Sequence, residues 1–414
     1  MKSLLTTIIC LFSINIIYSS VIIVCNKCDI SDISIAIDKA KNHDTIIIKK
    51  GTYYEFDIEI NKPIKIIGEN SIIDVEFNGG GFNIKSDSVY LSNLKINNIK
   101  RSYTKDIAGI VAYKSDHFVI ENIEFNNPFF AIFLQKSRNG IIRNNIIKGV
   151  NNDVLNSGNG IHLWDSKNIE IENNKIINMR DGIYLEFVSA ASINNNISEK
   201  NLRYGLHFMF SNENKYSNNI FINNAAGVAV MFSKNIIIHS NRFENNWGSS
   251  SYGLLLKEIY DAKIENNYFY QNTIGIAVEG SNRINYNHNI FKQNGWATKI
   301  SGGCYENIFT DNDYLNNTFD LSYKGRENDN VFSGNYWSNY VGYDLNHDGI
   351  GDVAFMPIKL FSYIVNSVPE AITLHRSLFV ELINFSEKVA PIFTPKYIMD
   401  KEPKIKPINY VINY

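Results

Sequence analysis

Residues 205–210 read GLHFMF. As a strand, this stretch sends Leu206 and Phe208 to one face and His207 and Met209 to the other. Imidazole and thioether suit a soft cation such as Cu(I) and serve magnesium or calcium poorly. Neighbouring stretches repeat the arrangement. His162 and Trp164 alternate with apolar residues in GIHLW, Tyr184 and Glu186 in GIYLE, and Ala229 and Met231 in GVAVM. A merely solvated face would carry Lys, Asn, Ser and Glu, whereas this one carries two His, two Met, a Trp and a Tyr. Three readings stand side by side. The residues His207, Met209 and Met231, with His162 and Glu186 beside them, hold copper; or the stripe binds a partner protein, since Met and aromatic residues are common at interfaces; or it packs under a loop.

Two further groups carry metal chemistry. Cys25 and Cys28 form a C-x-x-C, which reads as a disulfide in an exported protein or as a soft-metal or redox pair. Asp344, Asn346, Asp348 and Asp352 in DLNHDGIGD occupy positions 1, 3, 5 and 9 of a calcium loop. Position 12, where a bidentate Glu belongs, is Phe355, so an unmetallated Asp/Asn turn is the competing reading. Asp165, Asp181 and Glu186 are candidate carboxylates for a glycan-processing enzyme, but the row lacks a paired acid cluster with an Arg. There is no nucleophile elbow, phosphate loop or H-E-x-x-H.

What positions these residues is a repeat. A small residue followed by alternating apolar residues recurs at Gly109, Ala131, Gly160, Gly182, Gly205, Gly227, Gly253 and Gly275, in steps of 22, 29, 22, 23, 22, 26 and 22. Asn145, Asn174, Asn196, Asn219, Asn241, Asn267 and Asn289 share that irregular spacing from Ala131 onward, and Asn312 and Asn335 extend it. The period inside each unit is two, not 3.6, and the units are too short for propeller blades. The expected fold is all-β: a right-handed parallel β-helix with coils of about 22 residues, its inward Ile, Leu, Val and Phe forming one elongated core. Adjacent coils lie about 4.8 Å apart, so Met209 and Met231 become stacked neighbours. The Asn column is expected to form an amide ladder.

The ends read differently. Residues 1–20, with Lys2 and an apolar run, resemble a secretory signal peptide, which would carry Cys10 away and place the mature chain outside the cytoplasmic membrane. Residues 21–44 are expected to form an N-terminal cap with a short helix, 45–340 the β-helix, and 341–414 a C-terminal cap and docking tail. That tail contains helical spacing over 370–389, with an apolar face of Ile372, Leu378, Phe379, Leu382 and Ile383, followed by prolines. The 414 residues carry a formal charge of −2, which gives no electrostatic support for a nucleic-acid partner.

The stretches GNGIHLW, DGIYLEF, LRYGLHFMFSNEN, GVAVMFSKN, SYGLLLKE, GNYWSNYVGYDLNHDGIGD and PIFTPKYIMDKEP resemble the NosD family of nitrous oxide reductase maturation proteins. The resemblance covers nearly the whole mature chain. It implies a periplasmic, non-enzymatic β-helix that works with an ABC transporter of the ATPase NosF and the membrane subunit NosY. It further implies copper received from the lipoprotein NosL and a role in building the copper–sulfur centre of the reductase NosZ. The family motifs mix coil-building and functional residues, so they assign no copper ligand here, and Cys25–Cys28 matches no shared motif. A periplasmic carbohydrate-active β-helix is the rival reading, and an adhesion or scaffold solenoid the third.

Overall fold

The computed structural model describes residues 19–150, 153–325, 328–389 and 398–408; the expected signal segment falls almost wholly outside them, as do 391–397 of the proline-containing tail. The chain winds into a parallel β-solenoid. One face is a 12-stranded sheet, in which every strand pairs in parallel with the corresponding strand of the next coil. On that face Asp181–Glu186 pairs with Tyr204–Met209, which pairs with Ala226–Met231. Inward positions such as Leu206, Phe208, Val228 and Val230 are wholly buried in a continuous core. Along the interior, aromatic rings stack coil on coil: Phe243, Phe269, Phe291, Tyr314 and Trp337 lie 4.0–5.0 Å apart, centroid to centroid.

The Asn ladder forms. In each coil the Asn Nδ2 and backbone N–H donate to the Oδ1 of the next, as in Asn174 to Asn196 at 3.0 and 2.9 Å and Asn219 to Asn241 at 3.0 and 3.0 Å. Each Nδ2 also donates to a backbone carbonyl, so every buried amide is satisfied. A second ladder, unnoticed in the sequence, runs through Asn201, Asn224, Asn246, Asn272, Asn294 and Asn317. Both ladders end on a carboxylate. Asn335 donates through N and Nδ2 to Asp400, which also accepts from Trp337 Nε1. Asn317 Nδ2 donates to Asp320.

The ends depart from the expected boundaries. Val21–Val24 already pairs in parallel with Thr45–Ile48, so the sheet begins within the N-terminal cap region. The expected helix there, α1 (Ile33–Lys39), buries Ile33, Ala36 and Ile37. The helix expected over 370–389 is broken: Pro369–Leu374 is a 3₁₀ turn, Arg376 adopts φ 68°, and the α-helix proper spans Leu378–Val389. With Leu360–Ser367 as α2, that segment is α3. These helices do not seal the solenoid end. Phe361, Val365 and Val380 pack sideways on Phe319, with Trp296 and Ile383 beside them, against the outer face of the 12-stranded sheet. The seal comes from residues 398–408, through Asp400 and through the Lys404–Asp311 ion pair.

Two predictions follow from this packing. A Cβ on Gly227 would sit 2.3 Å from the Gly253 carbonyl oxygen, whereas one on Gly248 meets only Ser251 Cβ at 3.5 Å. Gly227→Val is therefore expected to destabilise by about 3 kcal/mol or more, and Gly248→Ala to stay within about 0.5 kcal/mol, as read by denaturant titration. Burial pushes the Asp320 carboxyl up from 3.8 to about 6. Between those values the folded chain keeps a proton that the unfolded chain loses, so this group makes stability fall as pH rises through that window, by roughly 3 kcal/mol at most. The stability difference between wild type and Asp320→Asn, followed by urea titration from pH 4 to 7, should shift in the variant's favour as pH rises. A flat difference would contradict it.

Candidate metal site on the outer sheet face

Numbered from the small residue that opens each strand, positions +2 and +4 point away from the core, as does the residue just before it, at −1. The register stacks each position into a column. Column +2 runs Phe133, His162, Tyr184, His207, Ala229, Leu255 and Ala277; column +4 runs Gln135, Trp164, Glu186, Met209, Met231, Lys257 and Glu279.

Column +2 is not a free surface. His207 is 5% exposed, and Ala229, Leu255 and Ala277 form a small apolar cluster with Tyr204, Met231, Tyr252 and Ile274 packed against it. The cover comes from column −1, whose large side chains lean over the sheet. The expectation of an open His and Met stripe is thereby corrected: His207 lies buried beside Tyr204, while His162 and Tyr184 in column +2 and the Met pair in column +4 reach solvent only in part. Rings stack along column +2 from Phe133 to His162, Tyr184 and His207 at 4.5, 4.7 and 4.8 Å, and Tyr204 closes on His207 at 4.7 Å.

The Met pair is in register, with Met209 opposite Met231 and Glu186 on its other side. Tyr184 Oη donates to Met209 Sδ at 3.6 Å, which ties the thioether to the aromatic column. Burial pushes the Tyr184 hydroxyl up to about 12, so it remains a donor. Beyond the Met pair, Phe187, Phe210 and Phe232 form an exposed stack with centroids 5.4 and 5.0 Å apart. They are 51, 42 and 40% exposed, and each sits at positive φ, a conformation costly for a bulky side chain. Sequence inspection passed over this ladder because each Phe lies one residue past the strand.

The two histidines differ in what they offer. Asn159 Oδ1 accepts from Arg180 Nε at 3.3 Å, and arginine only donates, so Asn159 must turn its Nδ2 toward His162 Nδ1, 3.4 Å away. Nδ1 then accepts, and Nε2 of His162 carries the hydrogen. Burial, with Arg180 near, pushes this imidazole down to about 3, so it stays neutral. His162 in this arrangement carries its hydrogen on the Nε2 that has no protein partner. His207 faces Asp181 instead, with Nδ1 3.7 Å from Oδ2, and its Nε2 has no protein partner. Asp181 is fully buried and held by both Arg203 Nε, at 2.7 Å, and Nη2. Burial alone would raise its carboxyl; the Arg203 fork and His207 hold it below the usual range. Asn159, Arg180, Arg203 and Tyr204 escaped the sequence reading because they precede the small residue on which the repeat was aligned, and Asp181, which also precedes it, stood there only as a candidate carboxylate for glycan chemistry.

The remaining candidates separate. Cys25 and Cys28 are joined in a disulfide, so neither sulfur is a free thiolate, and their reading as copper ligands gives way to the disulfide alternative. Of the calcium-loop residues, Asp344 accepts from the N–H of Asp348 and Gly349, Asp348 from Ile350, and Asp352 from Leu345. Phe355, at position 12, packs against Trp337. The segment closes on itself as an Asp/Asn turn, the competing reading of this stretch, and gives no added support for calcium. Among the described residues no three His, Cys, Asp or Glu come together as a metal cluster. A metal on this chain's outer face would therefore depend on thioether ligands beside an imidazole.

Comparison with known proteins places this face in context. Residues 149–342 match the family model described as NosD, periplasmic copper-binding protein, and that span contains His162, Glu186, His207, Met209 and Met231. Two proteins named probable ABC transporter binding protein NosD, from Stutzerimonas stutzeri and Pseudomonas aeruginosa, are each 26% identical over 110 residues, 26% of this chain. The chain spans about a quarter of the length of these curated relatives, 25% and 26%. Among solved structures, a Yersinia enterocolitica family 28 exopolygalacturonase is similar with a TM-score of 0.58 at 12% identity, over 76% of this chain and 78% of that one. The Dettilon tailspike protein reaches 0.50 at 13% identity, over 71% and 64%. At such identities these two likenesses are likenesses of architecture.

Proposed function

We propose that this chain, whose residues 149–342 match the NosD family model, is a periplasmic carrier of Cu(I) that serves the assembly of a copper–sulfur centre and is not an enzyme. The observation that carries the reading is the in-register Met209–Met231 pair on the same outward strands as His207, whose Nε2 has no partner. Two thioethers and one imidazole form a soft, low-coordinate donor set from which Cu(I) can leave again. Copper is cargo here. His207 lies closed under Tyr204, so loading requires that ring to swing aside, while the half-exposed Met pair makes the first contact. The exposed Phe187–Phe210–Phe232 ladder beside it is a surface for the protein that exchanges the metal.

By the family resemblance, the donor is a NosL-type lipoprotein, the recipient a NosZ-type reductase, and the membrane partner an ABC transporter of NosF and NosY subunits. No helix among the described residues is long and apolar enough to cross a membrane. The tail offers a docking element instead. While Val380 and Ile383 pack inward, Leu378, Phe379, Leu382, Phe385 and Val389 stay exposed along α3, with Leu378 at 72% and Phe385 at 65%. A stripe at i, i+4, i+7 and i+11 on one helix suits a groove in a partner. The rival glycan-processing reading meets an obstacle at Asp181, which is sealed from solvent and neutralised by Arg203 instead of standing free as an acid or base.

Competitive Cu(I) titration against a chromophoric chelator tests the carrier role. Met209→Ala with Met231→Ala is expected to weaken Cu(I) binding at least tenfold at a stability cost of about 1 kcal/mol per site. Leu206→Ala should leave affinity intact while costing about 2–5 kcal/mol as a core truncation. Unchanged affinity in the double variant would sink the copper reading. For the tail, Leu382→Asp with Phe385→Asp should leave the thermal melt unchanged and abolish co-purification with the transporter; retained co-purification would remove α3 as the docking element.

A further inference from the structure

We infer that Asp181, clamped by Arg203, is a positioning residue that fixes His207 with its hydrogen on Nδ1 and its lone pair on Nε2, the nitrogen left for a metal. The inference rests on the copper reading of this face and adds to it the group that makes His207 a ligand.

A buried carboxylate is costly unless paired. Asp181, wholly out of solvent, has its charge met by Arg203 from the next coil, whose Nε and Nη2 engage both oxygens. The fork fixes where Oδ2 stands, and Oδ2 lies 3.7 Å from His207 Nδ1. That separation exceeds a hydrogen bond, but it is within reach of strong electrostatic bias in a dry site. A carboxylate only accepts, so it favours a hydrogen on the nitrogen that faces it. The imidazole is held between Tyr184 and Tyr204 at 4.8 and 4.7 Å, which hinders a ring flip. Metal-bound histidines commonly give their second N–H to a carboxylate in this way.

The other histidine of the column, two coils away, offers a comparison. Asn159 and Asp181 each open a strand in column −1, which elsewhere holds Phe130, Tyr204, Ala226, Tyr252, Ile274 and Trp296. Asn159 offers His162 a donor and leaves that ring's free nitrogen protonated; Asp181 offers His207 an acceptor and leaves its free nitrogen bare. The two contacts take different paths, Asn159 reaching the histidine of its own coil and Asp181 that of the following coil, but an amide nitrogen faces one ring and a carboxylate the other.

The test uses the full mature chain, metal-free and labelled with 15N-histidine, with the His207 tautomer read from long-range 1H–15N correlations. Wild type is expected to show the Nδ1–H form. In Asp181→Asn the amide oxygen must serve Arg203, which turns its NH2 toward His207, and the tautomer should move to Nε2–H. Cu(I) affinity should fall about 10–100-fold alongside it, while the β-type circular dichroism stays. An Nε2–H tautomer in wild type overturns the inference, and that spectrum decides even if Asp181→Asn fails to fold. An unchanged tautomer and affinity in a folded Asp181→Asn overturns it equally. His207→Ala separates the two levels of the argument. If that change leaves Cu(I) affinity intact, the copper role of His207 falls, while the tautomer spectra still judge what Asp181 does to the ring.

Discussion

The buried amide ladder is the constraint on which the rest of this molecule depends. An asparagine side chain inside a protein must find partners for both its oxygen and its nitrogen. Here it finds them only if the next coil places another asparagine directly above it, as Asn196 stands over Asn174 and Asn219 over Asn196. Slipping one coil by a single residue would leave amides unpaired and turn a strand's apolar residues outward. Coil length can still vary, since the steps of 29 and 26 residues are absorbed outside the ladders. Each ladder must also stop somewhere, and a carboxylate suits the last rung because it accepts without needing to donate. Asp400 and Asp320 fill that place.

Because register is held in the core, columns form on the outside. Met209 faces Met231 not through any attraction between thioethers but because Leu206, Phe208, Val228 and Val230 are locked beneath them. A solenoid therefore gives a protein a simple route to a site: substitutions in one outward column appear side by side at strand spacing, with the core unchanged. The same logic placed Tyr184 under the Met209 sulfur, and Phe187, Phe210 and Phe232 in a stack along the edge.

Electrostatics then distinguishes groups that look alike. His162 and His207 occupy one column two coils apart, flank the same Tyr184, and both lie largely out of solvent. Their chemistry diverges because one faces an amide nitrogen and the other a carboxylate. The charges that arrange this, Arg180, Asp181 and Arg203, sit at the strand openings, where successive coils bring a cation and an anion together across one strand spacing.

The sequence by itself determined the parallel β-helix, the coil register, the inward residues and the alignment of Met209 with Met231. All of these follow from a period of two within a repeat of about 22, and both depend on local alternation and spacing. The second ladder, from Asn201 to Asn317, is encoded by the same spacing as the first. Other features were decided by tertiary structure alone. That Tyr204 closes over His207 depends on how far a side chain leans across a neighbouring coil. That Asp181 reaches both Arg203 and His207 depends on three-dimensional angles no spacing encodes. The apolar positions of the tail were visible, yet whether Phe385 packs or faces solvent was settled by where α2 lies on the sheet. Periodicity fixes which residues share a face; it does not fix what covers that face, because the cover comes from elements brought there by the folded chain as a whole.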